Sequence, residues 1–441
     1  MTRTSSWIAL RNPTFGKLWV ATVVSGICVS AHDTAAIWVM NSLSHSTMLL
    51  SVMSTAATLP FFLFILPAGA LADLTDRKKM LQVGYIWLAV CAGGLAILGW
   101  LNLLTPSVIL GSIFLLGTGF AFNAPVFSAV VPEIVSNEEL PSASILSGLQ
   151  LNISGIIGPA LGGLLLVFVG ANTVFALNAL CLLAVLISIA SWKPKVSRLP
   201  LESYFESVIS AIRYVRYSRT IRIILIRNAI FAFFIAIIPA LLPVVGLKEL
   251  HLSPSNLGLL FTSMGIGSVL AAVLILPWAR AYFSPNTVTR LAALLLSIVY
   301  VLMALIREAP GFLLVAALAG VVWTVSAAEL WVAAQRAMPG WARGRMNATV
   351  IMVSQGALAL GGILWGMIAA MAGVNTALIV AAALVLATLT LTHLLHHPWS
   401  IDFTMTAEPD SVPVVVMNIV HNLLYKGPDQ IGVKISFKGR F

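Results

Sequence analysis

Two carboxylates stand inside long apolar runs of this 441-residue chain: Asp33, beside His32 and about two-thirds of the way along the first run, and Glu329 in the tenth. A charge at bilayer depth costs about 3 kcal/mol even on lenient insertion scales, so such groups turn to a bundle interior or a water-filled cavity. Two readings are open for Asp33. It takes and releases a proton or touches a substrate, or it makes a structural hydrogen bond to a neighbouring helix. Shedding the charge by protonation changes which packing is favoured, so Asp33 is the first candidate for proton coupling, Glu329 the second, and His32 stands with them. Asn123 in the fourth run is a third polar group at depth, close to Pro125, and it either satisfies the carbonyl that the proline frees or lines a cavity. Trp38, Trp323 and Trp331 are cavity candidates able to stack on planar ligands, and equally able to be packing or interface residues.

Charge is concentrated in one turn, residues 69–79, which read GALADLTDRKK. Asp73 and Asp76 lie within four residues of one another, and Arg77, Lys78 and Lys79 follow. Glu133, Glu138 and Glu139 follow the fourth run and are placed to meet those cations, in pairs worth under about 1 kcal/mol each when exposed. Arg336, Arg343 and Arg345 precede the eleventh run and are placed to bridge to Asp73. His393-x-x-His396-His397 has a spacing that metal sites use, but no cysteine or carboxylate supports it, and interfacial histidines are the expectation. Cys28, Cys91 and Cys181 show no metal spacing and no disulfide framework. There is no phosphate-binding loop, nucleophile elbow or metal-ligand set, so an enzyme is not expected, nor is any cofactor.

The elements that must hold these groups are membrane helices. Hydrophobic residues make up 59% of the chain and charged residues 9%, against roughly 25% charged in a soluble domain. Apolar runs of about 20 residues recur, each long enough to cross a bilayer. Twelve spans are expected, from 18–40 to 374–395. The net charge of +10 reflects topology and not nucleic-acid binding. With both termini cytoplasmic, all basic residues except Lys248 and Arg307 fall on the cytoplasmic side, as retention of Lys and Arg requires. The apolar pattern breaks at 193, where Phe205, Val208, Ile209, Ile212 and Val215 recur at helical spacing among arginines and predict an amphipathic helix on the leaflet. The expected organisation is a six-helix bundle over 1–192, a linker over 193–221, a second six-helix bundle over 222–397 and a tail over 398–441.

The halves repeat. Ala160-Leu161-Gly162-Gly163 in the fifth span returns as Ala359-Leu360-Gly361-Gly362 in the eleventh. Gly158 and Gly162, like Gly362 and Gly366, form G-x-x-x-G faces that let helix backbones approach closely, and Pro159 bends the fifth helix. The turn after the eighth span carries no second copy of the charged hairpin pattern.

Gly69, Leu71, Ala72, Asp73 and Arg77 resemble the loop between the second and third helices of the major facilitator superfamily, with Leu74 and Asp76 departing from its pattern. Residues 154–163 resemble the G-x-x-x-G-P-x-x-G-G motif of its proton-exchanging drug exporters, with Ser154 at the first glycine. LRNPTFGKLW (10–19), FNAPVFSAVVPEIV (122–135), IIGPALGGLLL (156–166) and QRAMPGWARGR (335–345) resemble its branch of enterobactin exporters and transmembrane secretion effectors, over residues 8–397. The resemblance implies an all-α membrane protein of twelve helices in two six-helix pseudo-repeat bundles. It implies alternating access about a site near the midplane, and export of a siderophore-like metabolite or a drug across the bacterial inner membrane by proton antiport. The partners implied are a small-molecule substrate, protons and membrane lipids, in a monomer. Gly69, Asp73 and Arg77 then form a latch that docks at the start of the eleventh helix and holds the outward-open state. Gly158, Pro159, Gly162 and Gly163 form the helix-packing motif. The fourth span lacks the intramembrane arginine of many proton-coupled drug exporters, and the tail is short for the branch. A lipid or lysophospholipid flippase and a non-transporting membrane sensor are the alternatives on the same scaffold.

Overall fold

The computed structural model describes residues 7–136, 138–192, 219–337 and 343–394. Among them, twelve helices are long and apolar enough to cross a membrane. They are α1 (Pro13–Leu43), α2 (Thr47–Leu74), α3 (Arg77–Trp100), α4 (Pro106–Ile134), α5 (Leu140–Phe168) and α6 (Gly170–Ser191). The second set comprises α7 (Thr220–Glu249), α8 (Pro254–Tyr282), α9 (Pro285–Leu305), α10 (Ala309–Ala337), α11 (Arg343–Ala372) and α12 (Val374–Leu394). The linker residues 193–218 and the tail lie outside the described residues, as do the side chains of His393, His396 and His397.

Several helices outrun their apolar stretch because polar caps start them. Asn12, Thr105, Ser253 and Ser284 each stand before a proline and accept a backbone N–H of the first turn. A cap followed by proline suits a helix start, since the missing N–H would be unpaired there anyway. α1 is thus 31 residues long, beginning five residues before the expected span. The charged hairpin is shorter than expected for the same reason. α2 runs on to Leu74, Asp76 caps α3 by accepting from the Lys78 and Lys79 amides at 2.9 and 3.2 Å, and only Thr75 and Asp76 lie outside the two helices.

The halves meet through matching pairs. α5 packs on α1 of its own half and on α8 of the other; α11 packs on α7 of its own half and on α2 of the other. One apolar core spans both halves, and it lies toward the side opposite the Thr75–Asp76 hairpin. Met40, Leu50, Ile109 and Phe175 enter it from the first half, and Leu241, Leu260, Tyr300 and Trp365 from the second. Toward the hairpin side the cores separate. Leu81, Val130 and Ile189 cluster within the first half, and Ile224, Ala334 and Met346 within the second.

Candidate functional site: the space between the halves

The far side is closed by two seams at which glycines let the helices of opposite halves approach closely. A methyl group built on Gly163 of α5 would lie 2.6 Å from the Pro254 carbonyl oxygen of α8, and one on Gly265 equally close to the Gly155 carbonyl. The matching seam runs between α2 and α11, where Gly362 leaves no room beside Thr55 and Gly366 none beside Ser51. Each seam carries one hydrogen bond between halves. Thr262 donates to the Ile156 carbonyl at 2.8 Å, and Thr55 to the Ala359 carbonyl at 2.9 Å. The preceding glycine of each Ala-Leu-Gly-Gly serves the helix's own half: Gly162 against Ala31 of α1, and Gly361 against Phe233 and Ala236 of α7. Gly158 also faces α1, at Ser30 and the Ile27 carbonyl, while the Pro159 carbonyl abuts Gly258 of α8. The packing motif therefore serves two interfaces at once.

Asp33 faces the space between the halves. The α5 side of α1 is marked by Ile27, Ser30 and Ala31, and the α6 side by Cys28 and by His32, whose ring lies tilted against that of Phe175. Val20 and Val24 are exposed between those two neighbours. Asp33 is nine residues beyond Val24, two and a half turns, and so projects from the opposite side of α1. It is exposed in a stretch where residues 31, 32 and 34–36 are all buried, and has no ion-pair or hydrogen-bond partner among the described residues. Ten residues separate it from the end of α1, about 15 Å of helix.

Other candidates turn elsewhere. His32 is buried inside the first half, with both ring nitrogens unpartnered. Asn123 is not a cavity residue. It is buried in the first half, seated in the space that Gly84 of α3 leaves, and its amide is unpartnered, so it does not satisfy a freed carbonyl either. Trp38 and Trp323 pack against the shared core, and Trp331 is half-exposed on α10. Glu329 is 3% exposed and paired with Arg280 of α8 at 2.6 Å.

Two of the hairpin's cations, Arg77 and Lys78, are spent on helix ends. Arg77 pairs with Glu133 at the end of α4. Lys78 donates to the Ala190 and Trp192 carbonyls at 2.8 and 2.6 Å, closing the C-terminus of α6, where a cation is favoured. Glu139 turns back to the Ser136 amide rather than to the hairpin. A methyl on Gly69 would meet open space. The side chains of Asp73, Arg343 and Arg345, on which the latch depends, lie outside the described residues.

A family model described as transmembrane secretion effector, within the major facilitator superfamily, matches residues 4–435. The chain belongs to that family. Among its relatives, macrolide efflux protein A of Streptococcus pyogenes is 25% identical over 59% of this chain and 65% of its own. The enterobactin exporter EntS of Citrobacter koseri is 27% identical over 59% of this chain and 63% of its own. The chain thus spans under two-thirds of the length of these relatives. A bacterial homologue of the human lysosomal transporter Spinster, inward-facing and unoccupied, shares the fold with a TM-score of 0.69 at 13% identity, over 88% of this chain and 97% of that one. All three are transport proteins and not enzymes, and this chain is a multi-pass membrane protein of the same fold.

Three features of the structure escape the sequence. Arg280 falls just past the expected end of the eighth span, and its partner is 49 residues away. It gives the second half an Arg–Glu tie from hairpin arm to fourth helix, like Arg77–Glu133 in the first, although the hairpin pattern itself is lost there. Cys28 and Cys181 bring their Sγ atoms to 2.8 Å across α1 and α6, from 153 positions apart. Arg227 lies inside the apolar run of α7 and donates to Asn286 and Thr289 of α9, both at 2.9 Å. An arginine within an apolar run was the available signal for the last.

Proposed function

We propose that this protein is a secondary active exporter of small organic molecules working by alternating access. The observation that carries the reading is the divided core: common to both halves on the far side, separate for each half on the hairpin side. Such an arrangement suits a state open toward the hairpin, with two bundles, 1–192 and 222–397, rocking about their glycine seams. The hairpin side faces the cytoplasm of a bacterial inner membrane, since the basic residues gather there. The names of the relatives support a macrolide-like drug or a siderophore as cargo.

Protons drive the cycle, with Asp33 as the carrier. It faces the space between the halves without a partner, whereas Glu329 already has Arg280 and takes second place. Protonation lets the residue sit in a closed apolar seam; release restores a charge that favours the open, wet state. The unit is a monomer.

The test is substrate-stimulated proton movement in reconstituted vesicles, with macrolides, catecholate siderophores and planar drugs as the panel. Flux with one class, lost in Asp33→Asn at equal protein level, is the expected result. Normal flux in Asp33→Asn overturns the proton assignment. No flux with any compound, in folded protein, overturns the exporter reading.

A further inference from the structure

A second polar site lies away from the space between the halves. It is a cavity of about 140 Å³ lined only by helices of the second half, α7, α9, α10 and α12. Arg227 enters from α7 and Arg290 from α9, and no acidic residue lines the cavity among the described residues. Arg227 has only neutral acceptors there, Asn286 and Thr289. At the inner end Ser326 of α10 is 3% exposed, and its Oγ has no partner. Two guanidinium groups converging without a carboxylate, above an unpartnered buried hydroxyl, describe an anion site.

The surroundings decide what carries the anion. Asn286 and Thr289 belong to the first turns of α9, and Thr388 to the last turns of α12, so the cavity opens at the hairpin side of the membrane. One turn further along the same helix faces, Leu294 follows Arg290 and Leu384 precedes Thr388, both exposed. The charged mouth thus continues into an apolar outer surface. The cavity holds a phosphate ester and a few carbons but not two acyl chains. We propose that Arg227 and Arg290 bind the phosphate of an anionic phospholipid from the hairpin-side leaflet, with its acyl chains outside, along Leu294 and Leu384. The site is separate from the cargo path and stands whether or not the protein exports anything.

The test is native mass spectrometry of the full chain, delipidated in detergent and titrated with dioleoyl phosphatidylglycerol, dioleoyl phosphatidylcholine or inorganic phosphate. The expected result is retention of one phosphatidylglycerol, with phosphatidylcholine lost. Loss of a charge-assisted contact should weaken retention about tenfold in Arg290→Gln, and further in Arg227→Gln/Arg290→Gln. Arg227 also ties α7 to α9; Arg290→Gln and Ser326→Leu, which fills the inner end, keep the test independent of that tie. Equal retention of both lipids, or unchanged retention in Arg290→Gln and Ser326→Leu, overturns the proposal. Stoichiometric inorganic phosphate that displaces phosphatidylglycerol overturns the lipid as occupant and leaves a site for a soluble anion.

Discussion

The pair Arg280–Glu329 makes an asymmetric prediction. Its members are unequally placed, with the carboxylate 3% exposed and the guanidinium 41% exposed. Removing Arg280 strands a buried charge, and breaking a buried pair in that direction costs about 3–5 kcal/mol. Removing the charge of Glu329 strands a half-exposed guanidinium on a flexible stem that reaches water, while glutamine still accepts its hydrogen bond; that costs about 1 kcal/mol. Arg280→Gln should therefore destabilise far more than Glu329→Gln. The double variant should recover most of the difference, with a coupling energy of about 3 kcal/mol. The assay is equilibrium unfolding in mixed micelles, run on both single variants, the double variant and the parent. Equal costs, the reverse order, or simple additivity would refute the placement of the pair and free Glu329 to carry protons.

Four further outcomes are expected. Gly163→Leu or Gly362→Leu should force its seam apart and raise labelling of cysteines placed on the far side, whereas Gly69→Ala should not; equal labelling in all three would count against the seams. Diamide should join Cys28 to Cys181 within one chain, protecting both from maleimide while Cys91 still reacts; full labelling of all three would contradict the 2.8 Å contact. Asp76→Ala removes the cap of α3 and should lower stability by about 1 kcal/mol in the same unfolding assay, an unchanged midpoint arguing against the cap. Glu133→Gln should break the ion pair that ties Arg77 to the end of α4 and speed trypsin cleavage at the hairpin, with unaltered cleavage as the contrary result.

The twelve helices were legible because a membrane leaves few alternatives: long apolar runs, polar ends and a one-sided distribution of cations. The repeat of Ala-Leu-Gly-Gly was legible too, but not the division of labour between its two glycines, which depends on the helix lying on either side. The site was harder to read. Hydropathy found Asp33 and Glu329 as acids at depth, yet it contains no direction around a helix axis and no partner. Asn123 illustrates the first gap, since its depth was right and its facing was not. Glu329 illustrates the second. Arg280 lies past the apolar stretch of the eighth run, and only the continuation of α8 to Tyr282 brings it beside the acid. The thiol pair needed the contact of α1 with α6, which no local spacing records.

The paired seams constrain how the halves can separate. The α5–α8 seam sets backbone against backbone, the α2–α11 seam sets glycines against Thr55 and Ser51, and each carries one hydroxyl bond. They lie on opposite flanks of the central space and are related by the repeat. A force that opens one alone acts as a torque and must shear the common core, whereas a force shared between them leaves each bundle rigid. The molecule then behaves like a door hung on two matched hinges: a burden on one hinge does not merely stiffen the swing, it twists the frame.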